Sequence, residues 1–301
     1  MSRGKTRWAA LLVAAVLTVG ACSGTAATPA PATPAATAAA TPAPTAAQSA
    51  LDRVNTKGLY VAFVGENPWA FLQPDGTWDG AEAEMVKYCA AKLGIAEIFP
   101  VNVIFDGLLP GLDARRFDMI AAGMSIREAR LEVAISSQLL YRYGTRVAFK
   151  TGDDLINTVK SWTTAGATGL EVAMIRGSTE VTDTAEFGVK VKEYADVPTE
   201  LNDLIAGRVR MVALNDNFLK PYLAENPDAP IVLAPEWDYQ GVVSLPGHYF
   251  HKDDVVLRDA FNDCYSEMKT NGEMAKILEK WGFDPKTIPP PGPGHPPGAP
   301  S

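Results

Sequence analysis

The stretch Phe117–Arg130, reading FDMIAAGMSIREAR, carries the side chains best suited to gripping a small anion. Met119–Ala122 is an apolar run that predicts a strand, and Gly123 after it lets a ligand approach the backbone. A helix start follows, with Ser125 near its cap, where free N–H groups favour negative charge. Arg130, five residues past Ser125, reaches back as a planar fork suited to a carboxylate. Residue type alone leaves a plainer account open, in which this is a capped helix carrying a surface arginine.

Catalysis finds little support. No GxSxG, HExxH, Walker A or GxGxxG pattern occurs, and Ser136-Ser137 and the scattered carboxylates form no recognisable triad. No enzymatic role, cofactor or metal is expected. His248, His251 and His295 lack zinc-like spacing, and no CxxC or Cys/His cluster is present. Besides Cys22, Cys89 and Cys264 both fall in predicted helices. An exported pair can bridge, but helix-interior cysteines are often only small buried hydrophobes, so pairing stays open.

The elements that must position these residues alternate strand and helix. Leu59–Val64, Ile98–Val103 and Met119–Ala122 read as strands, interleaved with helices over Ala81–Leu93 and Gly107–Arg115 and followed by one over Ile126–Val133. On Ala81–Leu93, Met85, Val86, Cys89 and Leu93 share one face, and Gly94 ends it. The pattern restarts with strands at Glu171–Ile175, Val189–Tyr194 and Met211–Leu214, alternating with helices at Thr179–Glu186, Thr199–Ala206 and Phe218–Ala224. Two helices, Val255–Thr270 and Glu273–Trp281, close the body. Two successive βα series imply two α/β units.

Several motifs in order resemble one family over roughly residues 55 to 284. Ala122–Arg130 is similar to the "AGMSITPER" signature of type II periplasmic binding proteins that serve polar amino acids. Ile104–Leu112 resembles "WDGLIPGL", Asp75–Gly80 resembles "DGKLxGF", Ile175–Thr179 resembles the "xxGTT" turn, and Ala206–Val209 with Asn215 resembles "AGRVDAxxxD". The resemblance implies an α/β Venus flytrap with two hinge strands, near Tyr141–Arg146 and Tyr239–Leu245. Lobe 1 would comprise residues 51–145 and 242–284, and lobe 2 residues 146–241.

It also implies roles. Arg130 would hold a ligand carboxylate with backbone donors near Gly123 and Ser125, and Ser178 and Thr179 would hold it from lobe 2. Phe105 and Trp69 would be aromatic walls. The family's aspartate for an α-ammonium falls on Asn215, and a frequent serine is Ala122. Glu66-Asn67-Pro68-Trp69 resembles the branch that binds ectoine-type solutes, although that branch tends to have an aromatic where Ser125 stands. There a delocalised cation over Trp69 would gain ~0.5–2 kcal/mol and Glu66 would neutralise it. The expected activity is capture of a small zwitterionic solute by hinge closure and delivery to an ABC permease. A sensory receptor and a cyclohexadienyl dehydratase-like enzyme are the rival expectations.

The ends read as an address and a leash. Arg3, Lys5 and Arg7 precede an apolar run to Ala21, and Val19-Gly20-Ala21-Cys22 resembles a lipoprotein cleavage site, with residues 1–21 as signal peptide and Cys22 lipidated. Residues 22–50 are Ala-, Pro- and Thr-rich and read as an extended tether at the outer face of a bacterial cell membrane. The Pro/Gly-rich tail 285–301 is expected to be disordered. The net charge of −8 argues against nucleic acid as a partner. A monomer is the expected state.

Overall fold

A computed structural model describes residues 49–295. The expected signal peptide, Cys22 and tether up to residue 48 lie outside the described residues, as does the tail from 296. Among the described residues no helix is long and apolar enough to cross a membrane.

The chain enters through α1 (Ala50–Lys57), whose first turn is capped by the Ser49 hydroxyl accepting from the Asp52 N–H, so the helix starts inside the end of the expected tether. Then come β1 (Leu59–Phe63), the small hairpin β2 (Phe71–Leu72) and β3 (Trp78–Asp79), α2 (Ala81–Lys92), β4 (Ile98–Asn102), α3 (Leu108–Asp113), β5 (Met119–Ile120), α4 (Glu128–Leu131) and β6 (Ala134–Ser136). A crossing strand β7 (Tyr143–Gly144) leads to β8 (Arg146–Lys150), α5 (Trp162–Ala167), β9 (Glu171–Ile175), α6 (Thr179–Asp183), β10 (Lys190–Tyr194), α7 (Val197–Ile205), β11 (Met211–Leu214), α8 (Asp216–Glu225) and β12 (Ile231–Leu233). The chain returns through β13 (Val243–Ser244) to β14 (Tyr249–His251), α9 (Val255–Asn271) and α10 (Glu273–Lys280).

Two five-stranded sheets result, ordered β4-β1-β5-β14-β6 and β10-β9-β11-β8-β12. Each is parallel through its βα series and closed on one side by antiparallel strands. The crossing strands β7 and β13 pair antiparallel with each other, Tyr143 opposite Ser244. This is the expected two-lobed α/β architecture with two hinge strands. The helix expected over Ile126–Val133 is shorter, because Arg127 is still extended and only Glu128–Leu131 is helical.

The cores follow the periodicity. Met85, Val86 and Cys89 on α2 are fully buried with β1 and α9 in the lobe-1 core, and Val197, Leu201 and Leu204 on α7 pack into lobe 2. Cys89 and Cys264 are bonded, tying α2 to α9 with Cα atoms 5.8 Å apart. Of the two outcomes the sequence left open, the bridge is the one found. The expectation of a disordered tail does not hold for residues 285–295. His295 pairs with Ser136 on edge strand β6 through N–H···O bonds of 2.9 and 3.1 Å, Arg258 donates to the His295 carbonyl, and Asn262 donates to that of Gly292. Proline and glycine here lend backbone carbonyls to a polar rim, which composition does not reveal.

Candidate functional site

A cleft of about 720 Å³, counting its open mouth, lies between the lobes. All nine residues singled out from the sequence line it: Glu66, Trp69, Phe105, Gly123, Ser125, Arg130, Ser178, Thr179 and Asn215.

Arg130 sits on short helix α4, 8% exposed. Its guanidinium donates to the Ser125 carbonyl of its own lobe at 2.7 Å and to the Gly177 carbonyl of the other lobe at 2.8 Å. The Phe105 ring lies 5.6 Å from it, a cation–π contact. Tyr249 also donates to the Ser125 carbonyl, at 2.7 Å, which fixes the loop that aims the arginine. Burial lowers the Arg130 pKa, and Tyr249 and Glu180 oppose that shift. A guanidinium with five donors retains capacity for an anion beyond these two bonds.

Gly123 is needed where it stands. Its φ is +63°, and a Cβ there would come within 2.8 Å of the Trp69 ring. Its N–H, expected to help hold the ligand, is instead donated to buried Glu82 at 2.6 Å. Ser125 is likewise committed, its hydroxyl accepting from the Leu245 N–H beside the second crossing strand at 3.0 Å. Asn215 is the N-cap of α8 and accepts from the Phe218 N–H at 2.8 Å. These three shape the wall and hold the chain, each with a polar group already used.

Glu82 belongs to a buried lobe-1 network. It accepts from the Tyr141 hydroxyl at 2.8 Å and lies 3.8 Å from His248, whose other ring nitrogen meets the Tyr265 hydroxyl at 2.5 Å. Burial pushes Glu82 up to about 7, against its two hydrogen bonds, and holds His248 neutral by lowering it to about 3. His248 is thus structural, and His251 is buried beside Arg115. Trp162 and Trp237 pack edge-to-face inside lobe 2, 5.0 Å apart, and neither lines the cleft.

The opposite charge comes from acids. Glu66 reaches solvent at the mouth, yet dehydration by the walls, and then the charge of Glu180, raises it to about 7. Glu180, one residue past the expected hydroxyl pair on α6, accepts from Thr145 at 2.8 Å, just past crossing strand β7, and from Ser244 at 3.3 Å, on crossing strand β13. Sequence reasoning missed its role. The signal was an acid in the first turn of a helix that already offered hydroxyls to the cleft.

A second missed acid is Glu200, 0% exposed, on the apolar face of α7 one turn after the cleft residue Val197. No hydrogen bond of full geometry reaches either of its oxygens, the Ala213 amide acting on them only as a weak donor. Burial raises its pKa well above the carboxylate range, Glu66 and Glu180 add to the rise, and the Ala213 amide opposes it. Its fall between Val197 and Leu201 at helical spacing was the available sequence signal. A raised folded pKa stabilises below the unfolded value near 4.5, and that contribution is lost as pH rises. Glu200→Leu is therefore expected to gain ~1–3 kcal/mol at pH 7.5, with the gain shrinking toward pH 4. Urea unfolding at both pH values checks this, and destabilisation at both would show that the carboxyl is well satisfied.

Direct contacts join the lobes around the cleft: Arg127–Asp183 at 2.6 Å, Arg176–Asp106 at 3.6 Å, and Asn217 to the Gly282 carbonyl at 2.9 Å. Two α/β lobes, a double-strand hinge and an arginine bridging the cleft leave room for a small solute between the lobes. Residues 59–284 match the family model described as "Bacterial extracellular solute-binding proteins, family 3". The chain belongs to this family.

The chain is 28% identical over 248 residues to a probable amino-acid ABC transporter periplasmic-binding protein of Sinorhizobium fredii, covering 79% of this chain and 81% of that one. It is 26% identical to the histidine-binding periplasmic protein of Salmonella typhimurium, covering 77% and 87%. Among solved structures, EhuB in complex with hydroxyectoine is similar at TM-score 0.72 and 27% identity, covering 79% and 93%. An ancestral arginine-binding protein bound to arginine is similar at TM-score 0.65 and 27% identity, covering 74% and 97%. All four are named as binding proteins or as complexes with a bound solute.

Proposed function

We propose that this family 3 protein is the extracytoplasmic receptor of an ABC importer for a small amino acid or amino-acid-derived solute, and that it binds its solute without transforming it. The observation that carries this is that one buried guanidinium, Arg130, and two carboxylates, Glu66 and Glu180, line the same cleft. The solute's carboxylate lies on Arg130, near the hydroxyls of Ser178 and Thr179 at the start of α6. Its cationic end lies toward Glu66, Glu180 and the Trp69 ring. Both an amino acid such as arginine and an ectoine-type solute satisfy this polarity, and the named relatives include binders of each.

Capture works because the grip is divided. Arg130 and Glu66 belong to lobe 1, Ser178 to Glu180 belong to lobe 2, and only the paired strands β7 and β13 and the lobe-to-lobe contacts connect them. A solute touching both halves favours the closed form by its differential affinity for it. The closed form then docks on the permease as a monomer. The sequence Val19–Cys22 and the tether after it support a lipid anchor on Cys22, which keeps the receptor at the membrane.

The test is affinity against pH. Glu66 titrates near 7 in the folded chain, and a cation beside it favours the ionised form. Isothermal titration of L-arginine and hydroxyectoine should show binding tighten from pH 5.5 to pH 8, and Glu66→Gln should flatten that dependence. Affinity that falls with rising pH would place the cationic end elsewhere.

A further inference from the structure

We propose that Arg127 and Asp183 form a latch that sets receptor affinity from outside the ligand cleft, by stabilising the closed arrangement of the lobes. The inference rests on the two-lobed hinge reading, but not on the identity of the solute.

The pair occupies a telling position. Arg127 lies three residues before Arg130, and Asp183 four residues after Thr179, so the latch uses the same two segments as the expected carboxylate grip. Yet neither residue lines the cleft. The Arg127 guanidinium crosses from lobe 1 to the Asp183 carboxylate at 2.6 Å. It also donates to the Ile126 carbonyl at 3.2 Å and to that of Val243, on crossing strand β13, at 3.4 Å. One side chain thus touches lobe 1, lobe 2 and the hinge.

Its surroundings make the contact count. The two side chains are 25% and 26% exposed, so the pair is partly dehydrated and less screened than a surface ion pair. A second charged contact between the lobes among the described residues, Arg176–Asp106, is longer at 3.6 Å, and its arginine is 52% exposed and also faces Glu193 at 3.7 Å. The signature that Ser125–Arg130 resembles has threonine where this chain has Arg127, and threonine is too short and uncharged for such a bridge. Arg127 is a positioning residue: it makes no contact in the cleft and acts on bound solute through the lobe equilibrium, besides the repulsion its charge exerts on neighbouring Arg130. Stabilising the closed form raises its fraction before solute arrives, and apparent affinity scales with that fraction.

Hydrogen exchange of the full chain, measured with no solute added, tests this directly. Arg127→Gln and Asp183→Asn should each speed exchange in the cleft-facing segments, residues 123–127 and 176–180, by about five- to tenfold. Amides of β1 and β9 should keep wild-type rates, which separates opening from unfolding. Sodium chloride at 0.5 M should act in the same direction on the wild type. The exchanged pair, Arg127→Asp with Asp183→Arg, should return the cleft segments toward wild-type protection. Single variants that exchange like the wild type would overturn the latch, as would an exchanged pair as fast as the singles.

Discussion

Replacing Arg130 by alanine is expected to weaken solute binding by about 30-fold to several thousand-fold, or ~2–5 kcal/mol at 1.4 kcal/mol per decade. The size follows from burial. Arg130 is 8% exposed, and a solute carboxylate paired with it in a dehydrated cleft loses its counter-charge when the side chain is truncated. Truncation also removes the bond to the Gly177 carbonyl, so part of the loss arises through easier opening of the lobes. Arg130→Lys separates the two effects. It keeps the charge but not the planar fork that reaches both the Ser125 and Gly177 carbonyls, and should fall between wild type and alanine. Isothermal titration with circular dichroism as a folding check measures this. A folded Arg130→Ala protein that binds like the wild type would remove Arg130 from the site.

Loss of the Cys89–Cys264 bond is expected to cost ~2–5 kcal/mol of stability. The bridge closes a loop with a sequence separation of 175 residues, which spans all of lobe 2, so it restricts the unfolded chain strongly. The same bond joins α2, under the Glu82–Gly123 contact, to α9, whose Asn262 and Arg258 hold the tail. The Cys89→Ala, Cys264→Ala double variant should melt ~5–15 °C below the wild type, and reducing agent should bring the wild type down by a similar amount while leaving the variant unchanged. A melting point insensitive to both would mean the two thiols merely pack. Solute affinity should change little, since neither cysteine lines the cleft.

The sequence made the lobes legible because most βα repeats are long and periodic, as with Met85, Val86 and Cys89 on α2. The elements it did not reveal are short and have no period to read: β6, β12 and β14 have three residues each, and the two-residue crossing strands β7 and β13 were expected only through the family resemblance. The pairing of Cys89 with Cys264 depends on how α2 meets α9, a tertiary fact no local pattern contains. The tail misled because proline and glycine suggest disorder, while the backbone carbonyls of Pro290, Gly292 and His295 find donors in Lys269, Asn262 and Arg258.

The site divides in the same way. Position was legible: every chosen residue reached the cleft, because Gly123 and Arg130 sit in a signature tied to one local geometry. Role was less so. Backbone donors near Gly123 and Ser125 and the Asn215 side chain were expected to face solute, and the fold uses the Gly123 amide on Glu82, the Ser125 hydroxyl on Leu245 and the Asn215 side chain on Phe218. The acids went unseen for the opposite reason. Glu180 and Glu200 look like ordinary helix residues until tertiary packing places one between Thr145 and Ser244 and the other in the dark behind Val197.

Thermal unfolding of the full chain against a panel of α-amino acids, ectoines and betaines tests the central claim most directly. A solute that binds only the folded receptor stabilises it by ~4 kcal/mol at a thousandfold excess over its Kd. A large upward shift is predicted with at least one solute carrying both a carboxylate and a cationic group, and with that solute a stabilisation at least ~2 kcal/mol smaller in Arg130→Ala. A panel that leaves the melting point unmoved, or a shift that survives Arg130→Ala undiminished, would contradict that claim.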